Sequence, residues 1–486
     1  MTQKGLATAR SVNRWLILVL LAAAQFMLTV DITVVNIALP SIQHAFSLNT
    51  VTLQWIVTAY VVPFGGFLLL GGRCADFFGR RRIFLSGLAV FTLASLGSGL
   101  ANSGTLLILC RAIQGLAAAF MTPTALSLVL VTYTEGHGRN TALGVLSAVG
   151  AAGGSLGVVL GGIFTQYLGW QWNFYANIPI GVLVWILSLW LLEEPAPTAA
   201  QPRHLDVPGA LLVTVGVMAL VYALVQAPQI GWTSAWTLVP FAMGGLGVLA
   251  FLLNEARAGS PLMPLRIFRL RNVLAANLLM LLNTASTFAT LYFATLYVQT
   301  ILGYTPLVTG LDFLPFGVVC AAAATATSKL CKKVGYKRLL IVAPLVMGAG
   351  SGLVSFLPVV GSYWGNMAPG MLILFVGLGI TSVSVTIAGT SGVAEQESGL
   401  VSGLLSTFQQ VGTALGLAVI TAVATFSTQQ YMQGYRERNA SVVAAATVYG
   451  FHIGYLIEAG LALLIAVCAL LFIRSQTDQP KSEGRA

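Results

Sequence analysis

The sequence predicts an all-α polytopic membrane protein, and three observations carry that reading. Hydrophobic residues fill 57% of the 486 positions and charged residues only 8%, against about 25% charged in a soluble domain. The mean hydropathy is +0.86. The apolar residues fall into about fourteen runs of roughly 20, the length that crosses a bilayer core. Lastly, the basic residues between those runs lie almost entirely on one side.

The expected helices lie near 15–38, 51–72, 83–101, 104–130, 141–165 and 175–192, then 207–226 and 235–254. Six more follow near 272–298, 308–328, 339–360, 368–389, 399–424 and 449–473. The start, Met1 to Arg14, is short and basic, with no small-residue cleavage site after the first run, which therefore reads as a retained helix. Of the 24 Lys and Arg, one is Arg111 and two, Arg436 and Arg438, precede the last helix. The remaining 21 share the side of both termini, so the positive-inside rule places both termini in the cytoplasm and requires an even number of spans. A net charge of +10 spread in this way marks topology rather than a nucleic-acid surface. Five scattered cysteines, Cys74, Cys110, Cys320, Cys331 and Cys468, give neither a disulfide framework nor metal-ligand spacing.

Two internal echoes organise the chain. After the second segment stands Gly72-Arg-Cys-Ala-Asp76-Phe-Phe-Gly79-Arg80-Arg81-Arg82; eight segments later stands Ser328-Lys-Leu-Cys-Lys332-Lys-Val-Gly335-Tyr-Lys337-Arg338. The fifth segment spaces Gly153, Gly157 and Gly161 four apart, with Gly162 adjacent, and the thirteenth carries Gly412 and Gly416. An eight-helix offset predicts two six-helix bundles, 1–192 and 257–486, with two inserted helices and a linker at 193–256. Repeated halves around a midplane cavity are a common transporter plan.

Ionisable residues inside apolar runs carry the functional signal. A charge at the bilayer centre costs roughly 2.5–3.5 kcal/mol and is kept where a partner or a wet cavity receives it. Asp31 lies about eight residues before the end of the first run and Arg111 about eight into the fourth, each roughly 12 Å below the same face. Gln114 and Gly115 share the helix face of Arg111 at i+3 and i+4. Burial favours a neutral carboxyl and an adjacent guanidinium favours a charged one, so Asp31 beside Arg111 can switch protonation as water access changes. Asn36 points elsewhere on that helix. Glu458 and Asp312 are weaker candidates in the second half, and Tyr292, Tyr297 and Gln299 are expected to line a cavity, with plain packing as the alternative.

At these residues the chain resembles the major facilitator superfamily, in its fourteen-helix drug–proton antiporter branch. Asp31-Ile-Thr-Val-Val-Asn36-Ile-Ala-Leu-Pro40 resembles the branch's first-helix signature, and Gly72…Asp76…Gly79-Arg80-Arg81 its loop between helices 2 and 3. Arg111-Ala-Ile-Gln114-Gly115 resembles the helix 4 motif, and Gly169-Trp170-Gln171-Trp172-Asn173-Phe174-Tyr175-Ala176-Asn177 the junction of helices 5 and 6. Phe77, Gln171 and Val158 stand where the family has Arg, Arg and Pro. The resemblance implies a gating role for the loop at Asp76 and Gly79. It also implies helix contact through Gly153, Gly157, Gly161 and Gly162.

The function so implied is proton-coupled export of small hydrophobic or cationic toxic compounds such as antibiotics, drugs and biocides. The protein is expected to act as a monomer in a bacterial inner membrane, with protons and a small molecule as partners and no cofactor, metal or nucleic acid. An uptake symporter or facilitator is the alternative on the same fold. An enzyme is disfavoured because the four histidines are scattered and none sits in a catalytic spacing, and the lack of a GxxxxGK[ST] loop argues against energy from bound ATP.

Overall fold

The computed structural model describes residues 14–133, 137–192, 206–259, 261–393, 397–435 and 439–474. Pro195, Pro197 and Pro202 of the linker, Glu395, Arg436 and Arg438 lie outside them, as does the side chain of Asp76. Among the described residues, fourteen helices are long and apolar enough to cross a membrane. Their main helical stretches are α1 (Arg14–Phe46), α2 (Thr50–Phe78), α3 (Arg80–Gly99), α4 (Gly104–Thr132), α5 (His137–Ile163) and α6 (Asn177–Leu191, in a span that starts at Trp172). The inserted pair is α7 (Val207–Ile230) and α8 (Ala235–Arg257). Then come α9 (Arg271–Leu296), α10 (Pro306–Val334), α11 (Tyr336–Val354), α12 (Ala368–Thr390), α13 (Ser398–Gln433) and α14 (Ala440–Phe472).

Several helices outrun the expected spans. α1 continues through Pro40 to Phe46, α13 reaches Gln433, and α14 begins at Ala440. Hydropathy reports the length of chain inside hydrocarbon, whereas backbone hydrogen bonding continues through polar residues such as Gln43, Thr428 and Gln429. Asp31 and Glu458 consequently stand near the middle of 33-residue helices rather than a few turns from an end.

The first bundle packs α1 on α5, α2 on α4, and α3 on α4 and α6. In the second, α9 packs on α13, α10 on α12, and α11 on α12 and α14. The bundles meet along α2 with α13 and α5 with α10, and α7 covers the α2–α13 seam. Both sequence echoes reappear in the geometry. Gly79 (φ 100, ψ 130) and Gly335 (φ 85, ψ 145) are each the single residue joining two helices, in a conformation that side chains disfavour. The α5 ridge lies on α1, where a Cβ at Gly161 would sit 2.9 Å from the Val34 Cα. Gly153 meets Phe26 and Thr29, and Gly157 meets Val30 and Thr33. On α13, Gly412 and Gly416 meet Leu281 and Ala285 of α9 in the same relation. Such ridges replace a hydrophobic drive that lipid does not supply.

The two bundles close on the face opposite the start of α1, here the distal face. Gln299 Nε2 donates to the Ile37 carbonyl at 3.0 Å, the Leu307 amide to Gln166 Oε1 at 3.1 Å, and Thr421 Oγ1 to Gln54 Oε1 at 2.6 Å. α5 and α10 touch at Gly162, Gly310 and Gly317, the last against Ser155. Nearer the proximal face, Cβ atoms at Gly154, Gly150 and Gly144 would meet nothing within 4 Å.

Candidate functional site

Asp31 on α1 and Arg111 on α4 form a buried ion pair, with Nη1 2.5 Å from Oδ2 and side-chain exposures of 0% and 2%. Gln114, one turn beyond Arg111, donates its Nε2 to Asp31 Oδ1 at 3.3 Å and accepts from Arg111 Nη1 and Ser98 Oγ. The guanidinium also donates through Nε to the Ile56 carbonyl at 3.3 Å and lies 4.3 Å from the Tyr60 ring centroid. Gly115 lets α4 approach α2 closely, because a Cβ there would strike the Tyr60 carbonyl oxygen.

Two members of this site were not singled out from the residue pattern. Asn177 opens α6 and donates Nδ2 to Asp31 Oδ1 at 2.7 Å, and the same Nδ2 lies 3.0 Å from Ser95 Oγ. Ser95 in turn donates to the Phe174 carbonyl at 2.9 Å. The signal for Asn177 was its place in the junction motif; Ser95, a small polar residue among several on α3, gave none. With Arg111, Gln114 and Asn177 all donating to it, Asp31 sits in a site built for the charged carboxylate. A buried ion pair contributes little net stability against apolar replacements, so stability alone does not account for this one. Asn36 bonds its own helix at the Ile32 carbonyl, apart from the site.

In the loop from α2 to α3, Gly79 carries the turn. Arg81 donates to the Leu189 carbonyl at 2.8 Å, satisfying an open acceptor at the C-terminal end of α6 in its own bundle. Arg80 is also engaged. Gly72 has ordinary room, 3.6 Å from Pro123 Cβ. The close approach belongs instead to Gly71, whose added Cβ would strike the backbone of Ala119.

The second-half candidates do not join Asp31. Glu458 is fully buried in the second bundle, with Oε2 2.6 Å from Thr290 Oγ1. Asp312, 9% exposed, has its carbonyl bonded by the Tyr363 hydroxyl. Tyr292 does line a cavity, of about 440 Å³, with Gln43, Asn49, Phe293, Thr421 and Phe451. Tyr297 donates to the Pro358 carbonyl within the second bundle, and Gln299 to the Ile37 carbonyl across the bundles. His452 contacts the Leu357 carbonyl at 2.6 Å. Among the described residues no cluster of His, Cys, Asp or Glu can hold a metal, and the five cysteines are free.

The family model described as Major Facilitator Superfamily matches residues 21–417. The chain belongs to the major facilitator superfamily. It is 37% identical over 479 residues to the puromycin resistance protein pur8 of Streptomyces alboniger, covering 98% of this chain and 94% of that protein. It is 39% identical over 413 residues to the cephamycin export protein CmcT of Amycolatopsis lactamdurans, with 85% of each covered. The lincomycin resistance protein of Streptomyces lincolnensis is 34% identical, again with 85% of each covered. Among solved structures, a bacterial homolog of the human lysosomal transporter Spinster superposes with a TM-score of 0.66 over 96% of this chain and 100% of that one, at 16% identity. The xylose transporter XylE from E. coli gives 0.63 over 96% and 98%, at 14% identity. At those identities the likeness is one of fold. The protein is thus a multi-pass member of a transporter family, with an all-α major facilitator fold of two six-helix bundles and an inserted pair.

Proposed function

We propose that this chain is a proton-coupled exporter of small hydrophobic or cationic toxic compounds, working by alternating access around the Asp31–Arg111 pair. The observation that carries the reading is that buried pair, with three donors on a carboxylate placed near the middle of α1. The resistance and export proteins named above, similar over most of their length, supply the substrate class and direction.

Opening of the distal face separates α1 from α9 at the Gln299–Ile37 bond and admits water and a proton toward Asp31. A neutral Asp31 releases Arg111 and weakens the hold on a cationic substrate, which leaves. After closure the proximal face opens, the proton departs, and the ion pair re-forms as substrate enters. With a neutral substrate one net charge moves inward, which at about 100 mV supplies about 2.3 kcal/mol; with a monovalent cation the exchange carries no net charge and the proton concentration difference drives it. In this reading the distal face is the outer one, both termini are cytoplasmic, and the chain acts as a monomer in a bacterial inner membrane. The bundles span 1–192 and 257–486, joined by 193–256. The proton gradient replaces any cofactor, and the protein is a transporter rather than an enzyme.

The test is a growth panel of puromycin, lincomycin, cephamycin and cationic dyes in a pump-deficient host, with vesicles loaded for direct efflux. Protection together with proton-dependent efflux is expected. Proton-driven accumulation by the host would establish uptake instead. A reporter fused after Ala486 that is active only outside the cytoplasm would overturn the topology.

A further inference from the structure

Glu458 makes one more hydrogen bond to its surroundings through Thr290 when it is protonated than when it is ionised. Its Oε2 lies 2.6 Å from Thr290 Oγ1, and Thr290 Oγ1 lies 3.0 Å from the Ser286 carbonyl one turn back on α9. A threonine hydroxyl has one proton and two lone pairs. If Thr290 donates to Ser286, the hydrogen between Thr290 and Glu458 belongs to Glu458. The protonated acid then donates to Thr290, Thr290 donates to the backbone, and both bonds are made. An ionised Glu458 would take the hydroxyl proton from the Ser286 carbonyl; Oε1 has no partner in either form, which costs far more when it shares a carboxylate charge than when it is a neutral carbonyl oxygen.

The surroundings offer no cation for the charged form. Against α14 pack α9, α11 and α13. α9 carries Arg271 only at its start, α11 carries Lys337 and Arg338 only in its first turn, and α13 has no charged residue. On α14 itself His452 is occupied at the Leu357 carbonyl. The remaining titratable groups on these helices are Cys468 near the end of α14 and tyrosines: Tyr455 one turn before Glu458, Tyr292 near the distal end of α9 with Tyr297 just beyond it, Tyr336 at the start of α11, and Tyr431 beside Tyr449. Asp31 is the opposite case, with three donors on its carboxylate.

A route outward is also visible. The 440 Å³ cavity on the distal side includes Phe293 and Phe451 in its lining. The Phe293 ring lies 6.1 Å from that of Tyr455, whose hydroxyl is 3.4 Å from the Thr290 carbonyl. One aromatic layer therefore separates the cavity from the carboxyl, and a modest movement of α9 against α14 on distal opening would wet it.

We propose that Glu458 is a second proton-carrying site, loaded from the distal cavity and holding its proton against Thr290 while the distal face is closed. The proton arrives from the outer water on the carboxylate and leaves to the inner water, so that each bundle carries one titrating carboxyl. The coupling role rests on the exporter reading above, whereas the protonation itself is testable without transport.

The experiment is infrared difference spectroscopy of the purified full-length protein in lipid nanodiscs at neutral pH. Expected is the carbonyl stretch of a protonated carboxylic acid, absent from Glu458→Gln, unchanged in Asp31→Asn, retained in Glu458→Asp, and shifted in frequency in Thr290→Val. A band missing from the wild type, or persisting unaltered in Glu458→Gln, overturns the proposal. A companion measurement in vesicles expects fewer protons moved per drug exported by Glu458→Gln. If the wild type exports nothing while the band behaves as expected, the exporter reading fails and the proton site stands.

Discussion

Asn177 Nδ2 lies 2.7 Å from Asp31 Oδ1, so the first residue of α6 anchors the carboxylate that Arg111 holds from α4. Three helices thereby share one ionisable group, and any movement of α1 against α4 or α6 changes the donors that the carboxylate keeps. In the proposed cycle, proton binding and helix position become one equilibrium.

Asn177→Ala removes one hydrogen bond to a charged group, worth about 1.5–3 kcal/mol. Efflux should fall by roughly tenfold or more, since 1.4 kcal/mol is a factor of ten, while Asn177→Asp, which places a second carboxylate beside the first, should be worse. Vesicle efflux at matched protein levels measures both. Wild-type rates in Asn177→Ala would remove this residue from the coupling site.

Asp31→Asn should abolish proton-coupled efflux and also destabilise the fold, because it strands the Arg111 charge in the interior at a cost of about 3–5 kcal/mol. The double variant Asp31→Leu with Arg111→Met should recover much of the thermal stability and none of the transport. Recovery of both would reduce the ion pair to a packing element; normal pumping of neutral and cationic drugs by Asp31→Asn would place coupling elsewhere.

The loop glycines separate backbone from gating chemistry. At φ 100 and φ 85, side chains at Gly79 and Gly335 are strained, by about 1–3 kcal/mol. Gly79→Leu and Gly335→Leu should therefore lower thermal stability by similar amounts, and Asp76→Asn should cut transport in a folded, inserted protein. Unchanged efflux in Asp76→Asn would leave the loop a purely topogenic role.

Much of the fold was legible because a bilayer turns hydropathy into helix count, and because the two glycine turns and two glycine ridges repeat at an eight-helix offset. The Asp31–Arg111 contact was legible because a charge in hydrocarbon needs a partner. The ends of apolar runs are a poor ruler for its depth, because α1 continues past the first run to Phe46. Asn177 and Ser95 escaped because short polar side chains at helix interfaces are common and carry no charge to explain. An aromatic and polar stripe at helical spacing does not reveal which members bond the opposite bundle, as Gln299 does at the Ile37 carbonyl.

Gln299 offers the most direct handle on the conformational equilibrium. Its Nε2 bonds the Ile37 carbonyl across the bundles, and Gln166 bonds the Leu307 amide beside it. A net hydrogen bond is worth about 0.5–1.5 kcal/mol, so losing one shifts the balance between distal-open and distal-closed forms by about two- to twelvefold. Gln299→Ala should raise the rate at which a cysteine at position 421, on the Gln54-bonded seam, reacts with an impermeant thiol reagent added from outside. Gln166→Ala should do the same, and the two together should exceed either alone. The native cysteines are first replaced by serine so that only position 421 reports. Labelling that stays at the parental rate in all three variants would show that the apolar contact of α5 with α10 and of α2 with α13, rather than these bonds, keeps the distal face shut.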